Sequence, residues 1–234
     1  MTALRCSHVQ CRVRDIGEAV ADFTALGFTI AWGSDPRTAH NALIWFADGP
    51  FIELYELPTR FAALRVPFSA VYGRAAGTRL AKWAQPGEGW RDLAVETSDI
   101  TLAETHRAIR GVGLPVSRVV KGKRTRPDGQ RVRYEFLAPR TSGLPFVVSG
   151  YAAAQRDRAV SHANGARAVA TVHFGVADRD RAAFDTLVGD QRRITVRPAT
   201  STGVLGIELS GLATELDPSK LHGAAIGARV RDGR

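Results

Sequence analysis

Residues 7–57 read SHVQCRVRDIGEAVADFTALGFTIAWGSDPRTAHNALIWFADGPFIELYEL, and the order of patterns along them is strand, helix, then three strands. Cys6–Arg14 alternates with the period of two that a half-buried strand requires. Ser7, Val9, Cys11 and Val13 fall on one face; Cys6, His8, Gln10 and Arg12 fall on the other. That second face is too polar for a core and rich in ligand-type atoms. Asp15 is placed to cap a helix, and Glu18 completes a capping box. Ala19, Val20, Phe23 and Leu26 form one helical stripe, with Gly27 where the helix would stop. Phe28–Trp32, Ala42–Phe46 and Phe51–Leu57 read as strands, the last two joined by the turn Ala47-Asp48-Gly49-Pro50. Parity puts Phe51, Glu53 and Tyr55 on one face.

The same pattern restarts downstream. Asp92–Asp99 matches His8–Asp15 in spacing and alternation, Thr101–Arg110 reads as the helix, and Phe146–Ser149 as the fourth strand. Val116–Val120 and Arg131–Leu137 read as a hairpin around Pro127-Asp128-Gly129, a turn composition with a mechanism. Between the two units, Pro58–Gly89 carries Phe61, Phe68, Tyr72 and Trp83, too many aromatics for a plain linker. It reads as a packed crossover with a short helix over Arg79–Ala84, covering a sheet edge or closing over a pocket. A third, divergent restart has strands Ala168–Val176, Arg193–Arg197, Gly203–Leu209 and Ala224–Val230, a helix Asp180–Leu187, and a basic, frayed tail. His173 precedes Asp180 as His8 precedes Asp15. The expected division is therefore 1–57, a crossover 58–89, 90–151 paired with the first unit, a connector 152–167, and 168–234.

The 7–57 unit resembles the βαβββ module of the vicinal oxygen chelate superfamily, the glyoxalase, bleomycin-resistance and extradiol dioxygenase group. The run Asn41–Glu53 is similar to its glyoxalase-like branch. The resemblance implies an α+β fold of repeated βαβββ modules whose curved mixed sheets surround a cavity. It also implies a homodimer in which the third module pairs with its counterpart. His8 and Glu53 stand where the family has metal ligands; in the second module Asp92 takes the histidine position and Val148 the glutamate slot. His8, Glu53 and Asp92 together would favour Mn²⁺ or Mg²⁺, and Fe²⁺ or Zn²⁺ less clearly. The two-histidine, one-carboxylate triad of oxygen-activating iron is incomplete, with His40 the nearest further imidazole. A metal of this kind acts as a Lewis acid on vicinal oxygens, with Glu53 and His8 as proton carriers. The implied chemistry is isomerase, epimerase or lyase action on a hydroxycarbonyl compound. Gln10, Arg12, His40, Trp45, Phe51, Tyr55 and Trp90 would contact the substrate. On this reading Asp92→Ala removes the metal without unfolding the chain.

Each residue has a plainer reading as well. His8 can pack and hydrogen-bond within the sheet, Glu53 can pair with Arg12, and Asp92 can cap or pair with the neighbours of Arg91. Arg124, Arg126, Arg131 and Arg133 read first as a solvated face and second as recognition of an anion. His173 and Glu208 read as structural or surface groups. A second function class is also consistent: a metal-free binding or sequestration protein for an aromatic metabolite or antibiotic, with Trp45, Phe51, Tyr55 and Trp90 lining an apolar cavity.

Composition sets the outer bounds. The 234 residues are 44% hydrophobic and 24% charged, an ordinary globular profile. The net charge is +9 and the pI about 10.3, but the arginines are scattered without an aromatic-basic stripe, so nucleic acid is not an expected partner. No signal-type apolar segment opens the chain, and no apolar run approaches the roughly 20 residues of a membrane span. Cys6 and Cys11, placed on opposite faces, are expected to be unbridged thiols in a cytoplasmic setting.

Overall fold

The computed structural model describes residues 4–151, 156 and 159–229. Val230 of the expected last strand, the basic tail, and parts of the 152–167 connector lie outside them. The first strand, β1 (Arg5–Val13), leads into α1 (Ile16–Ala25). The Asp15 carboxylate accepts the Glu18 N–H at 2.9 Å, a cap that stabilises such a helix by about 1 kcal/mol. The helix ends at Gly27 (φ 85°), and the Phe28 N–H reaches back to the Phe23 carbonyl while their rings pack 5.8 Å apart. Phe28 is thereby drawn into the core, and the expected strand Phe28–Trp32 shrinks to β2 (Ala31–Trp32). Strands β3 (Asn41–Ile44) and β4 (Phe51–Glu56) complete the unit.

The second unit repeats this order with β5 (Gly89–Glu96), α4 (Ala103–Gly111), β6 (Val120–Thr125), β7 (Arg131–Leu137) and β8 (Phe146–Val148). The expected strand Val116–Val120 is displaced toward the turn, and Val116 keeps only an isolated bridge to Pro139. Register decides this: pairing Thr125 with Arg131 extends the ladder up to the Arg126–Gln130 turn. The two units join through antiparallel β1 and β5 into one curled eight-stranded sheet, ordered β2-β3-β4-β1-β5-β8-β7-β6. Its far ends approach each other, where Arg124 on β6 donates to the Gly33 carbonyl beside β2 at 2.5 Å.

Two irregularities in the β1–β5 ladder reassign side chains to faces. Cys6 pairs with Val95 and His8 with Ala94, so Ser7 is an extra residue without a partner on β5. Such a bulge turns Ser7 to the His8 face and Cys6 into the apolar core, the reverse of simple alternation. Cys6 and Cys11 therefore share a face, and five residues of strand, roughly 17 Å, keep them apart. Burial pushes both thiols up to about 12. A second shift skips Arg91, so Trp90 pairs with Cys11 and faces the core rather than sharing a face with Asp92.

The 58–89 crossover holds a 3-10 turn (Thr59–Leu64) followed by α2 (Arg65–Tyr72) and α3 (Arg74–Trp83). The helices approach so closely that a Cβ on Gly77 would fall 2.4 Å from the Arg65 carbonyl. Phe68, Tyr72 and Trp83 pack onto Ala94, Phe136, Phe146 and Val148, so the crossover covers the His8-bearing face of the sheet.

Beyond the second unit, β9 (Ala168–Val176), α5 (Arg181–Val188), β10 (Ile194–Pro198), β11 (Gly203–Ser210) and β12 (Ile226–Ala228) form a four-stranded sheet. Its order β10-β9-β11-β12 is parallel, antiparallel, parallel, as in β4-β1-β5-β8. The element order is again strand, helix and three strands, but the pairing repeats the centre of the large sheet without its outer hairpins. Val172, Phe174, Leu187, Ile207 and Leu209 join the same core as Val9, Val13, Phe23 and Leu54. No helix among the described residues is long and apolar enough to cross a membrane.

Candidate functional site

On the face opposite that core, the curled sheet encloses a cavity of about 150 Å³. His8 and Gln10 reach it from β1, Glu53 and Phe51 from β4, and Asn41 from the start of β3. Arg124, Tyr134, Phe136, Phe146 and Tyr151 come from the second unit and the segment after it, and Trp83 from the crossover. Strand parity explains the convergence, because alternate residues on neighbouring strands project to one face.

The polar groups form a compact constellation. His8 Nε2 lies 3.4 Å from Glu53 Oε2, and the imidazole stacks on Phe51 with 4.6 Å between centroids. Each carboxylate oxygen of Glu53 takes one amide: Oε2 from Gln10 at 2.9 Å and Oε1 from Asn41 at 2.8 Å. Gln10 Oε1 is buried and has no hydrogen-bond partner among the described residues. A buried acceptor left unpaired costs free energy, and a ligand donor reaching it would remove that cost. Burial holds the His8 pKa below the ordinary imidazole value, against the opposing pull of Glu53 and Glu96, so the ring is neutral at pH 7. Burial, reinforced by Glu53, keeps the Tyr134 and Tyr151 phenols protonated. Arg124 makes no ion pair among the described residues.

Several expected contacts lie elsewhere. Arg12 is on the anticipated face but farther along it, donating to the Gly87 and Leu57 carbonyls and pinning both ends of the crossover. Tyr55 is buried beneath α3 and donates to the Trp83 carbonyl. Trp45 stands behind Phe51, 4.2 Å between ring centroids, and does not reach the cavity. Trp90, turned by the bulge, donates its indole N–H to the Ala225 carbonyl. His40 is exposed ahead of β3.

Asp92 requires the largest revision. It occupies the cavity face of β5, but its carboxylate is consumed by donors. Arg79 Nη1 reaches both oxygens at 2.8 and 2.7 Å, Trp83 Nε1 donates at 2.6 Å, and Lys82 Nζ lies at 3.2 Å. Arg79 is fully buried, so Asp92 is the counter-ion of a buried cation rather than a third ligand beside His8 and Glu53.

A larger depression, about 690 Å³, lies on the four-stranded sheet, where His173 and Glu208 are 2.9 Å apart. It is more open to solvent, and His173 Nε2 and Glu208 Oε1 are paired with each other, while His173 Nδ1 is buried without a partner among the described residues. The smaller cavity is the less open of the two, lies between both units and sets the unpaired Gln10 Oε1 beside the His8–Glu53 pair, so it is the candidate site.

The sequence matches the model of the glyoxalase-like domain family over residues 6–187. The chain belongs to this family. Its parent is the vicinal oxygen chelate superfamily. A structure of a hypothetical protein from Staphylococcus aureus is similar at TM-score 0.67 and 9% identity, covering 89% of this chain and 91% of that one. The 2,3-dioxygenase LapB from Pseudomonas sp. KL28 matches at TM-score 0.51 and 11% identity, covering 90% and 75%. The Mn(II)-bound glyoxalase from Novosphingobium aromaticivorans matches at TM-score 0.51 and 11% identity, covering 90% and 66%. At such identities the likeness concerns fold alone. No curated protein sequence matches the chain.

A divalent metal occurs in that glyoxalase, and the donor set of this glyoxalase-like chain can be compared with what a metal needs. Catalytic sites commonly present three protein ligands. Among the described residues no group of three His, Cys, Asp or Glu is placed to hold an ion. With Asp92 bound to Arg79, only His8 and Glu53 remain of those residue types at the cavity, and two such ligands fall short of the set that a catalytic metal commonly takes.

Proposed function

We propose that this glyoxalase-like protein is a proton-transfer enzyme acting on a small hydroxycarbonyl compound, in an isomerase, epimerase or lyase reaction. The observation that carries this reading is the His8–Glu53 pair, 3.4 Å apart in a partly enclosed cavity, with the imidazole neutral at pH 7. Two bases side by side can take a proton from one position of a substrate and return it to another. His8 accepts the proton from the carbon next to the carbonyl, and the Glu53 charge stabilises the imidazolium that forms. The amides of Gln10 and Asn41 fix the Glu53 carboxylate. Arg124 and the protonated phenols of Tyr134 and Tyr151 supply the positive charge and donors that an enolate oxygen requires. Gln10 Oε1 is matched to a substrate hydroxyl. A cavity near 150 Å³ suits a molecule about the size of benzene, as apolar cavities of that volume do.

The test is solvent exchange: small 2-hydroxycarbonyl compounds incubated with the protein in D₂O, followed by proton NMR. Enzyme-dependent exchange at one carbon, lost in both His8→Ala and Glu53→Gln, is the expected result. Saturable binding without exchange, equal in the wild type and both variants, would overturn it. That outcome favours the second reading, a binding protein for an aromatic metabolite, which the aromatic walls Phe51, Trp83, Phe146 and Tyr151 support.

A further inference from the structure

Behind His8, away from the cavity, runs a hydrogen-bonded chain that the proposed reaction does not use directly. His8 Nδ1 lies 3.2 Å from Ser7 Oγ, and Ser7 Oγ donates to Glu96 Oε2 at 3.1 Å. The other oxygen, Glu96 Oε1, accepts Arg5 Nε and Arg156 Nη2, both at 2.6 Å. Ser7, His8 and Glu96 are all essentially buried. The Ser7 bulge makes the chain, because only the extra residue brings Ser7 and His8 to one face of β1.

Donor counting fixes its direction. A serine hydroxyl has one proton, and an ionised carboxylate can only accept. Glu96 faces two guanidinium groups with one oxygen and takes the Ser7 proton with the other, so Ser7 can only accept from His8. A neutral His8 must then carry its proton on Nδ1. That leaves Nε2 bare toward Glu53 and the cavity.

We propose that Glu96, acting through Ser7, is a positioning residue that sets the tautomer of His8 and thereby makes the cavity-facing nitrogen a proton acceptor. The inference rests on reading His8 as the base of the site, but it makes a claim about the ring itself that holds with or without a substrate. The isosteric change Glu96→Gln reverses the chain. Its carbonyl oxygen stays with the two arginines, its NH₂ replaces Oε2 and donates to Ser7, and Ser7 then donates to His8 Nδ1. The His8 proton moves to Nε2, where Glu53 Oε2 accepts it.

Long-range ¹H–¹⁵N correlation spectra of ¹⁵N-histidine protein report the tautomer directly, with His8 assigned from the spectrum of His8→Asn. The expected wild-type spectrum has a protonated Nδ1 and a bare Nε2, with the pattern inverted in Glu96→Gln. Ser7→Ala, which leaves the Glu96–arginine pairs in place, is expected to raise the Nε2-protonated form, and it supplies the test should Glu96→Gln not fold. An Nε2-protonated wild type, or an Nδ1-protonated ring in a folded variant of either kind, would overturn the proposal. Absence of substrate exchange with the expected tautomers would count against the enzymatic reading and leave this one standing.

Discussion

Substituting Asp92 separates the observed role of this residue from the ligand role that its position suggested. Arg79 is fully buried, and two of its contacts are to the Asp92 carboxylate, with one more to the Leu144 carbonyl. Asp92→Ala leaves Nη1 of that guanidinium, the Trp83 indole N–H and one of the Lys82 donors without their acceptor. Removing one partner of a buried ion pair costs about 3–5 kcal/mol. For a slope of roughly 4 kcal/mol per molar, the guanidinium midpoint falls by about 1 M. Equilibrium denaturation followed by tryptophan fluorescence measures it, and the pairwise replacement Arg79→Met with Asp92→Leu should recover much of the loss. A pH series adds a sign. Burial raises the Asp92 pKa, but the charges of Arg79 and Lys82 and their hydrogen bonds outweigh it, so the folded value lies below the ordinary carboxylate range. The stabilisation is thus complete above the unfolded value near about 4, and it disappears as pH falls through the lower folded value. A cost for Asp92→Ala below about 1 kcal/mol at pH 7 would refute the buried-counter-ion account.

Two further perturbations probe the cavity. A Cβ on Gly33 would lie 1.9 Å from Asn41 Oδ1, so Gly33→Ala displaces the flexible Asn41 amide from Glu53 while the fold survives. The expected result is a melting temperature close to wild type and an exchange rate reduced about tenfold, the worth of one hydrogen bond to a charge; an unchanged rate would contradict it. His8 is the reverse of a histidine that gains a partner on folding, because burial lowers its folded pKa. Below the unfolded value near about 6.5 the unfolded chain takes up the proton first, so stability declines as pH falls from there toward the folded value. Denaturant midpoints between about pH 5 and pH 7 should slope less in His8→Gln than in wild type; parallel slopes would show that His8 is not buried neutral.

The elements of the first unit are readable because each is signalled locally: the Asp15 cap, the Gly27 stop and the alternation of Phe51–Glu56 require no tertiary information. The β1 bulge has no such signal, and through it alternation assigns Cys6 and Ser7 to the wrong faces. The shift at Arg91 misplaces Trp90 for the same reason. Arg124 did leave a trace. In β6, Val120, Gly122 and Arg124 turn inward while Lys121, Lys123 and Thr125 turn to solvent, a period of two hidden because the inward set is mostly not apolar. Asp92 matches its expected position by register, yet its role is decided by Arg79, 13 residues away on a helix whose buried arginine reads as a surface residue in sequence.

Metal content per chain, measured by elemental analysis of protein purified without chelator, tests the central claim most directly. The proposed function has His8 and Glu53 facing the cavity as proton carriers, with no third His, Cys, Asp or Glu beside them among the described residues. It predicts metal far below one ion per chain, unchanged in His8→Ala and Glu53→Ala. Near-stoichiometric metal in the wild type, lost in both variants, would contradict it and return the pair to the role of ligands.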